Sequence, residues 1–314
     1  MSFSGDVKEE LSKQLPKARH CQIAELAAIV GMCGEVEENQ AGGYVIKVQT
    51  ENSRLARKCF TLIKKTFKII TEIEIENTGG KYSGRRYIIR ISNPREALEV
   101  LAAFKETDEN GRYMPPKGVL PNILIMSECC RRAFLRGAFI AGGSMSDPEK
   151  SYHLEFICEN EEQAKQLVMQ METFDIEGKI VERKNHFVVY IKEGRQIIDL
   201  MGVMEAYVSL MQMENVRILK DMRNNVNRQV NCETANLNKT VSAALKQTED
   251  IKYLMDRGEF ESLPEHLKEM AMLRLEHPES SLKELGEMCI PKVGRSGVNH
   301  RLKKISSLAE NIRG

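Results

Sequence analysis

The chain of 314 residues has no tryptophan, and aromatic side chains make up only 6% of it. That scarcity argues against the stacking platforms on which single-stranded nucleic acid is held. No stretch approaches the roughly 20 apolar residues a membrane-spanning helix needs, so no membrane is expected among its partners. The opening MSFSGDVKEELSK has no apolar run and carries acids early, which is unlike a signal or transit peptide. Charge of one sign is also missing. Lys plus Arg number 46 and Asp plus Glu 45, a net of +1, which excludes a uniformly basic coat or an acidic tail but not segregated patches. The eight cysteines form no C-x-x-C pair and the histidines are scattered. The expectation is therefore no zinc or iron–sulfur site, no cofactor, and reduced thiols serving as small core residues of a cytoplasmic protein.

The remaining composition, 42% hydrophobic and 29% charged, is that of an ordinary globular protein. Residues 4–15 predict an amphipathic helix through Val7, Leu11 and Leu15, stopped by Pro16. An apolar helix over 21–33 ends at Gly34. Strands near 35–39 and 43–49, joined by Ala41-Gly42-Gly43, a helix over 53–68, strands near 71–76 and 86–92 and a helix over 94–105 follow. The polar, Pro- and Gly-bearing segment 106–121 reads as a linker or flexible loop.

The order then recurs: helix 127–141 ending in Gly142-Gly143, a short strand near 144–145, a strand over 152–158, helix 161–173, strands 178–183 and 186–192, and helix 194–201. Leu26 and Leu135, like Gly34 and Gly143, stand 109 residues apart, as expected of a duplicated αββαββα unit with helices on one face of each sheet.

From about 203 the pattern is helical. Val216, Leu219, Met222, Val226 and Val230 share one side, a break is expected near NCETANLNKT, and a helix from Thr240 to Arg257 turns Val241, Ala244, Leu245, Thr248, Ile251, Leu254 and Met255 inward. Ser262–Glu265 and Ser281–Glu284 both read as capping boxes, the second opening a helix through Met288. The turn CIPKVG leads to a last helix, Arg295–Ala309.

A short helix, a turn and a basic helix make the helix-turn-helix plan. Val298, Leu302, Ile305 and Ala309 form the buried stripe of the last helix. The opposite face carries Ser296, His300, Lys303, Lys304 and Ser307, flanked by Asn299 and Arg301. From Lys292 to Lys304 there are five cations and no acid, which suits a helix lying along phosphates. Arg295, Ser296, Asn299, His300 and Arg301 are the candidates for base edges, and Lys292, Lys303 and Lys304 for phosphates. The stretches 54–68 and 81–95 are also basic and acid-free, and Arg86 and Arg90 share a strand face.

The segments ELAAIVGMCGEV (25–36) and FLRGAFIAGGSM (134–145) resemble the two signature helices of LAGLIDADG homing endonucleases. With NCETANLNKT and GVNHRLKKI, the full length resembles the WhiA family of bacterial transcription regulators. The resemblance implies an α+β fold, a duplicated αββαββα LAGLIDADG-like domain followed by an all-α helix-turn-helix domain. On it the boundaries fall as an N-terminal helix over 1–20, first half 21–105, linker 106–126, second half 127–210, connecting segment 211–240 and helix-turn-helix domain 241–314. Active LAGLIDADG enzymes place an acid immediately before each helix-ending glycine; here those positions hold Cys33 and Gly142, neither of which offers a hard carboxylate to Mg²⁺. Glu35 and its counterpart Ser144 do not rebuild a symmetric pair.

The resemblance thus implies a non-enzymatic, nucleoid-associated reader of double-stranded DNA, linked to sporulation, cell division and chromosome segregation, with RNA polymerase or its sigma factor as a partner. Accessory DNA contacts are expected through Arg86 and Arg90, unless that domain binds a protein or small molecule. The alternatives are a metal-dependent DNA endonuclease and a non-specific nucleoid or protein-interaction module.

Overall fold

The computed structural model describes residues 2–40, 42–78 and 84–313, so Ala41 of the first predicted turn and Lys81 of the second basic stretch lie outside the described residues. The chain divides into two compact units, Met1–Lys220 and Asp221–Gly314.

Helix α1 (Phe3–Lys13) is capped by the Ser2 hydroxyl, which accepts from the Gly5 N–H, and buries Val7 and Leu11. Helix α2 (Arg19–Cys33) runs directly into β1 (Gly34–Glu38), then β2 (Tyr44–Thr50), α3 (Ser53–Phe67), β3 (Glu72–Thr78), β4 (Gly84–Ile91) and α4 (Pro94–Ala103). Asn52 and Asn93 cap α3 and α4 through their side chains.

The second half repeats the order with α5 (Glu128–Gly142), β5 (Gly143–Met145), β6 (Leu154–Cys158), α6 (Glu161–Glu172), β7 (Lys179–Arg183), β8 (His186–Ile191) and α7 (Gly194–Val203). The sheets have the same antiparallel strand order, β1-β2-β4-β3 and β5-β6-β8-β7. Each signature helix ends by handing its glycine to the first strand of its sheet, so the duplication read at an offset of 109 is a structural one.

One face of each sheet is apolar and covered. Ile46, Val48, Ile89 and Ile91 are buried on the first; Leu154, Phe156, Val189 and Ile191 are buried on the second. Helices α2 and α5 pack on each other between the halves. Their backbones approach closely where glycine permits. A Cβ on Gly137 would lie 2.5 Å from the Glu25 carbonyl oxygen, and one on Gly31 would lie 1.9 Å from the Val119 carbonyl oxygen.

That second contact corrects the reading of 106–121 as a flexible loop. Val119 and Leu120 are buried. Gln166 clamps their backbone, accepting from both amides (2.8 and 3.2 Å) and donating to the Leu120 carbonyl at 2.7 Å. Pro and Gly mark the irregular path, and two apolar residues are enough to dock it.

The expected break near NCETANLNKT is absent, because α8 runs unbroken from Tyr207 to Asp256. No Pro or Gly occurs between those residues, and asparagine costs a helix interior less than about 1 kcal/mol, so nothing forces a stop. Leu219, Met222, Val226 and Val230 are exposed on it. Val241 and Leu245, expected inward, are 49% and 60% exposed, because the core of the second unit begins only at Ile251. Helices α9 (Glu265–Glu276), α10 (Leu282–Met288) and α11 (Arg295–Arg313) complete that unit. The Ser262–Glu265 capping box does not form. Leu263 and Pro264 are extended, and the Ser262 hydroxyl instead donates to the Glu259 carbonyl.

Candidate nucleic-acid interface

The second unit is held by one apolar cluster. Ile251 and Leu254 of α8, Leu267 and Met270 of α9, Leu285 of α10 and Val298, Leu302, Ile305 and Ala309 of α11 are all buried in it. The α11 residues are those read from the helical period. The capping box at Ser281 is present: the Glu284 amide donates to its hydroxyl, and the Ser281 amide donates to the Glu284 carboxylate, which these bonds hold below the usual carboxylate range. The turn between α10 and α11 lies against Gly286, whose carbonyl accepts from the Val293 amide at 2.9 Å. A Cβ on Gly286 would lie 2.0 Å from the Val293 carbonyl oxygen.

With the stripe buried, the rest of α11 faces outward. Lys292, Arg295, Ser296, His300, Lys303, Lys304 and Ser307 are exposed and Asn299 is half-exposed beside them. Arg301 departs from its expected place. Its guanidinium donates to the His266 carbonyl (3.3 Å) and lies 3.7 Å from Glu269, so it ties α11 to α9 instead of pointing at a groove. Glu269 also accepts from the Ile290 amide at 3.1 Å, which steadies the turn.

In the first unit two of the basic residues are spent inside the fold, while Arg57, Lys64, Lys65 and Lys68 stay exposed. Of the six cations over 54–68, Arg54 pairs with Glu9, and Lys58 is buried on Glu25 while donating to the Leu11 carbonyl at 2.7 Å. Arg86 and Arg90 do share a face, but across the sheet they meet Glu76 at 3.8 Å and Glu74 at 4.0 Å. The strand register puts Glu35, Glu37, Glu72, Glu74 and Glu76 on that face with Lys47, Arg86 and Arg90. Five carboxylates against three cations make it acidic, and Lys47 itself sits between Glu35 and Glu37 at 3.9 and 3.8 Å. These acids were visible in the sequence, but their alternation opposite the arginines depended on register.

The degenerate positions lie at the C-terminal ends of α2 and α5. The Cys33 thiol donates to the Ile29 carbonyl, and burial pushes its pKa up to about 12. Lys8 of α1 acts on it as a neighbouring charge, with its own pKa pulled down to about 8, chiefly by burial. At Gly142 a Cβ would meet the Met32 methyl at 2.5 Å. Glu35 faces Lys47, and Ser144 donates to Glu155 at 3.2 Å, so neither rebuilds the missing acid.

Cys21, Cys59, Cys130, Cys158 and Cys289 are free and buried, as expected of core thiols, while Cys129 and Cys232 are exposed. His20, Cys21, Cys129 and Cys130 are brought together at the opposite ends of α2 and α5, their ligand atoms all within 4.8 Å of one another. The signal was present in the repeat, since 109 residues separate His20 from Cys129 and Cys21 from Cys130.

Three family models match: the WhiA N-terminal LAGLIDADG-like domain over residues 19–105, the WhiA LAGLIDADG-like domain over 131–223 and the WhiA C-terminal HTH domain over 226–309. A protein of Lachnoclostridium phytofermentans named "Probable cell division protein WhiA" is 50% identical over 319 residues, covering both chains fully. A protein of the same name from Alkaliphilus oremlandii is 45% identical, covering 99% of this chain and 98% of its own. Among solved structures, full-length WhiA from Thermatoga maritima superposes with a TM-score of 0.59 at 25% identity, covering 99% of each chain.

Proposed function

Since the chain belongs to the WhiA family, we propose that it is a sequence-specific double-stranded DNA reader that regulates transcription in cell division, with α11 as the recognition helix. The supporting observation is the open face of α11. Arg295, His300, Lys303 and Lys304 stand exposed on a helix whose other side is buried, Lys292 is exposed in the turn before it, and no acid occurs from Cys289 to Ala309. A helix of this kind fits the major groove, with Lys292, Lys303 and Lys304 on phosphates and Arg295, Ser296, Asn299 and His300 toward base edges. Arg301 is a positioning residue in this reading, fixing the helix on α9.

The LAGLIDADG-like domain is a scaffold without nuclease chemistry. Its outer first sheet face carries excess carboxylate, so it does not track a phosphate backbone through Arg86 and Arg90. The reading is tested by chromatin immunoprecipitation with sequencing in the native host, followed by footprinting of the purified chain at physiological salt. Sharp promoter peaks with discrete footprints support it. A flat genomic signal with no footprint overturns it in favour of non-specific nucleoid binding.

A further inference from the structure

His20 and Cys21 open α2, and Cys129 and Cys130 open α5. The internal repeat relates the helices, so His20 stands where Cys129 stands in the other half, and Cys21 where Cys130 stands. Their neighbours Ala24 and Ala133 obey the same offset and are buried with the inner cysteines in a small cluster of their own. The close helix approach therefore drives the four donors together. His20 Nδ1 lies 3.1 Å from Cys130 Sγ and 3.4 Å from Cys21 Sγ.

We propose that these four side chains form a Cys₃His site for a thiophilic divalent cation, Zn²⁺, joining the two LAGLIDADG-like halves at the N-terminal ends of their central helices. The donor set selects the metal. Three sulfurs and an imidazole suit Zn²⁺, whereas Mg²⁺ and Ca²⁺ require oxygen ligands that this cluster does not offer. Tetrahedral bonds of about 2.3 Å to sulfur and 2.0 Å to nitrogen put the donors between about 3 and 4 Å apart, and the observed spread needs only small side-chain movements to reach that. Without an ion, burial holds the Cys21 and Cys130 thiols protonated, so the metal must displace those protons on binding.

Access is open: His20 and Cys129 are exposed, and a cavity of about 510 Å³ is lined by Cys21 and Cys129. Four protein ligands fill the coordination sphere and leave no position for substrate, so the site is a clip and not a catalytic centre. It lies at the other end of α2 and α5 from Cys33 and Gly142, and is distinct from the degenerate nuclease positions. Binding would release protons from the three thiols and hold together residues 109 apart in the chain.

The test is anaerobic titration of the reduced, chelator-stripped full-length protein with Co²⁺. One equivalent is expected to give sulfur-to-cobalt charge-transfer absorption and tetrahedral ligand-field bands, both displaced by Zn²⁺. His20→Ala and Cys129→Ser remove exposed side chains, so the fold should persist by circular dichroism while affinity falls roughly tenfold or more. Cys232→Ser, at an exposed cysteine elsewhere, should change nothing. Absence of thiolate–cobalt charge transfer overturns the proposal. So does a signal insensitive to both ligand variants, or recovery of a Cys21–Cys130 disulfide from protein isolated without air or reductant.

Discussion

Glu25 and Arg136 meet as a two-point ion pair inside the protein, Nε to Oε1 at 3.0 Å and Nη2 to Oε2 at 3.2 Å, with both side chains almost fully buried. Each stands on one of the two central helices. Lys58 joins from α3, and the half-exposed Glu205 reaches Arg136 Nη1 at 2.7 Å, so two basic side chains face two carboxylates. The pair sits beside the contact in which Gly137 lets α5 onto the Glu25 carbonyl, and so fixes the helices where they are closest.

Removing one partner should therefore be costly. Arg136→Met leaves Glu25 with Lys58 alone and strips Glu205 of its partner, and the expected loss is about 3–5 kcal/mol. Urea unfolding of the full chain checks this, and a double-mutant cycle with Glu25→Gln should show strong coupling. An Arg136→Met chain that melted with the parent would show that the pair does not hold the halves.

The turn before α11 depends on a glycine in the same steric way. Gly286→Ala places a methyl against the Val293 carbonyl, which is backbone and has no rotamer to yield, so about 1–3 kcal/mol of stability should go and DNA affinity with it. Gly294→Ala is the matched comparison, since a Cβ there meets nothing within 4 Å, and it should be neutral or slightly stabilising. Thermal melts of the two variants distinguish a packing requirement from a general need for glycine in the turn.

Both of these relationships mark what the sequence could convey. Periodicity placed nearly every element, and the offset of 109 showed the duplication, because a repeated unit must repeat its core spacing. The α11 stripe was legible for the same reason. Partner choice was not. Arg301 and Lys303 look alike in a basic run, and only the fold shows Arg301 bent onto His266 and Glu269. Arg90 reads as a free cation until the register sets it near Glu74. The Asn-rich stretch suggested a break because propensity sums ignore that a helix without Pro or Gly meets no obstacle. The cysteines are scattered along the chain, and it is the helix crossing that brings three of them together with His20.

Glu106 should make stability fall as pH rises. Burial pushes its carboxyl up to about 8, against an unfolded value near 4.5. Between those values the folded state binds the extra proton, so the contribution is full below about 4.5 and is lost as pH climbs through 8. Glu106→Gln removes the titration. Its stability advantage over the parent should grow by up to about 1.4 kcal/mol per pH unit across that window, measured by urea melts from pH 5 to 9. A constant difference at all pH values would refute the assignment.

Supercoiled plasmid incubated with the protein and Mg²⁺ or Mn²⁺ should remain uncut. A two-metal or one-metal hydrolysis needs carboxylate oxygens at the helix ends, and the positions hold a protonated thiol and a glycine. Lys8 adds to the argument: at neutral pH, below its value of about 8, it is mostly charged and repels a divalent ion. Agarose gels resolve supercoiled, nicked and linear forms, and nicking that co-purified with the chain and survived Glu35→Gln and Glu155→Gln would contradict the scaffold reading.

Arg301 and Lys303, two residues apart, should separate stability from binding. Lys303 is exposed and pairs with no acid among the described residues, so Lys303→Ala should leave the urea midpoint unchanged, weaken DNA binding for every sequence alike, and reduce the salt slope by about one. Arg301→Ala breaks the bonds to the His266 carbonyl and Glu269. It should cost on the order of 1 kcal/mol in urea unfolding, and lower affinity with the salt slope kept, because the helix is less well held and no phosphate contact is lost. Fluorescence anisotropy over a salt series, paired with unfolding of the same samples, reads both quantities. If the two variants exchanged behaviours, with Arg301→Ala changing the slope and Lys303→Ala the stability, the face of α11 assigned to DNA would have to be rotated toward Arg301.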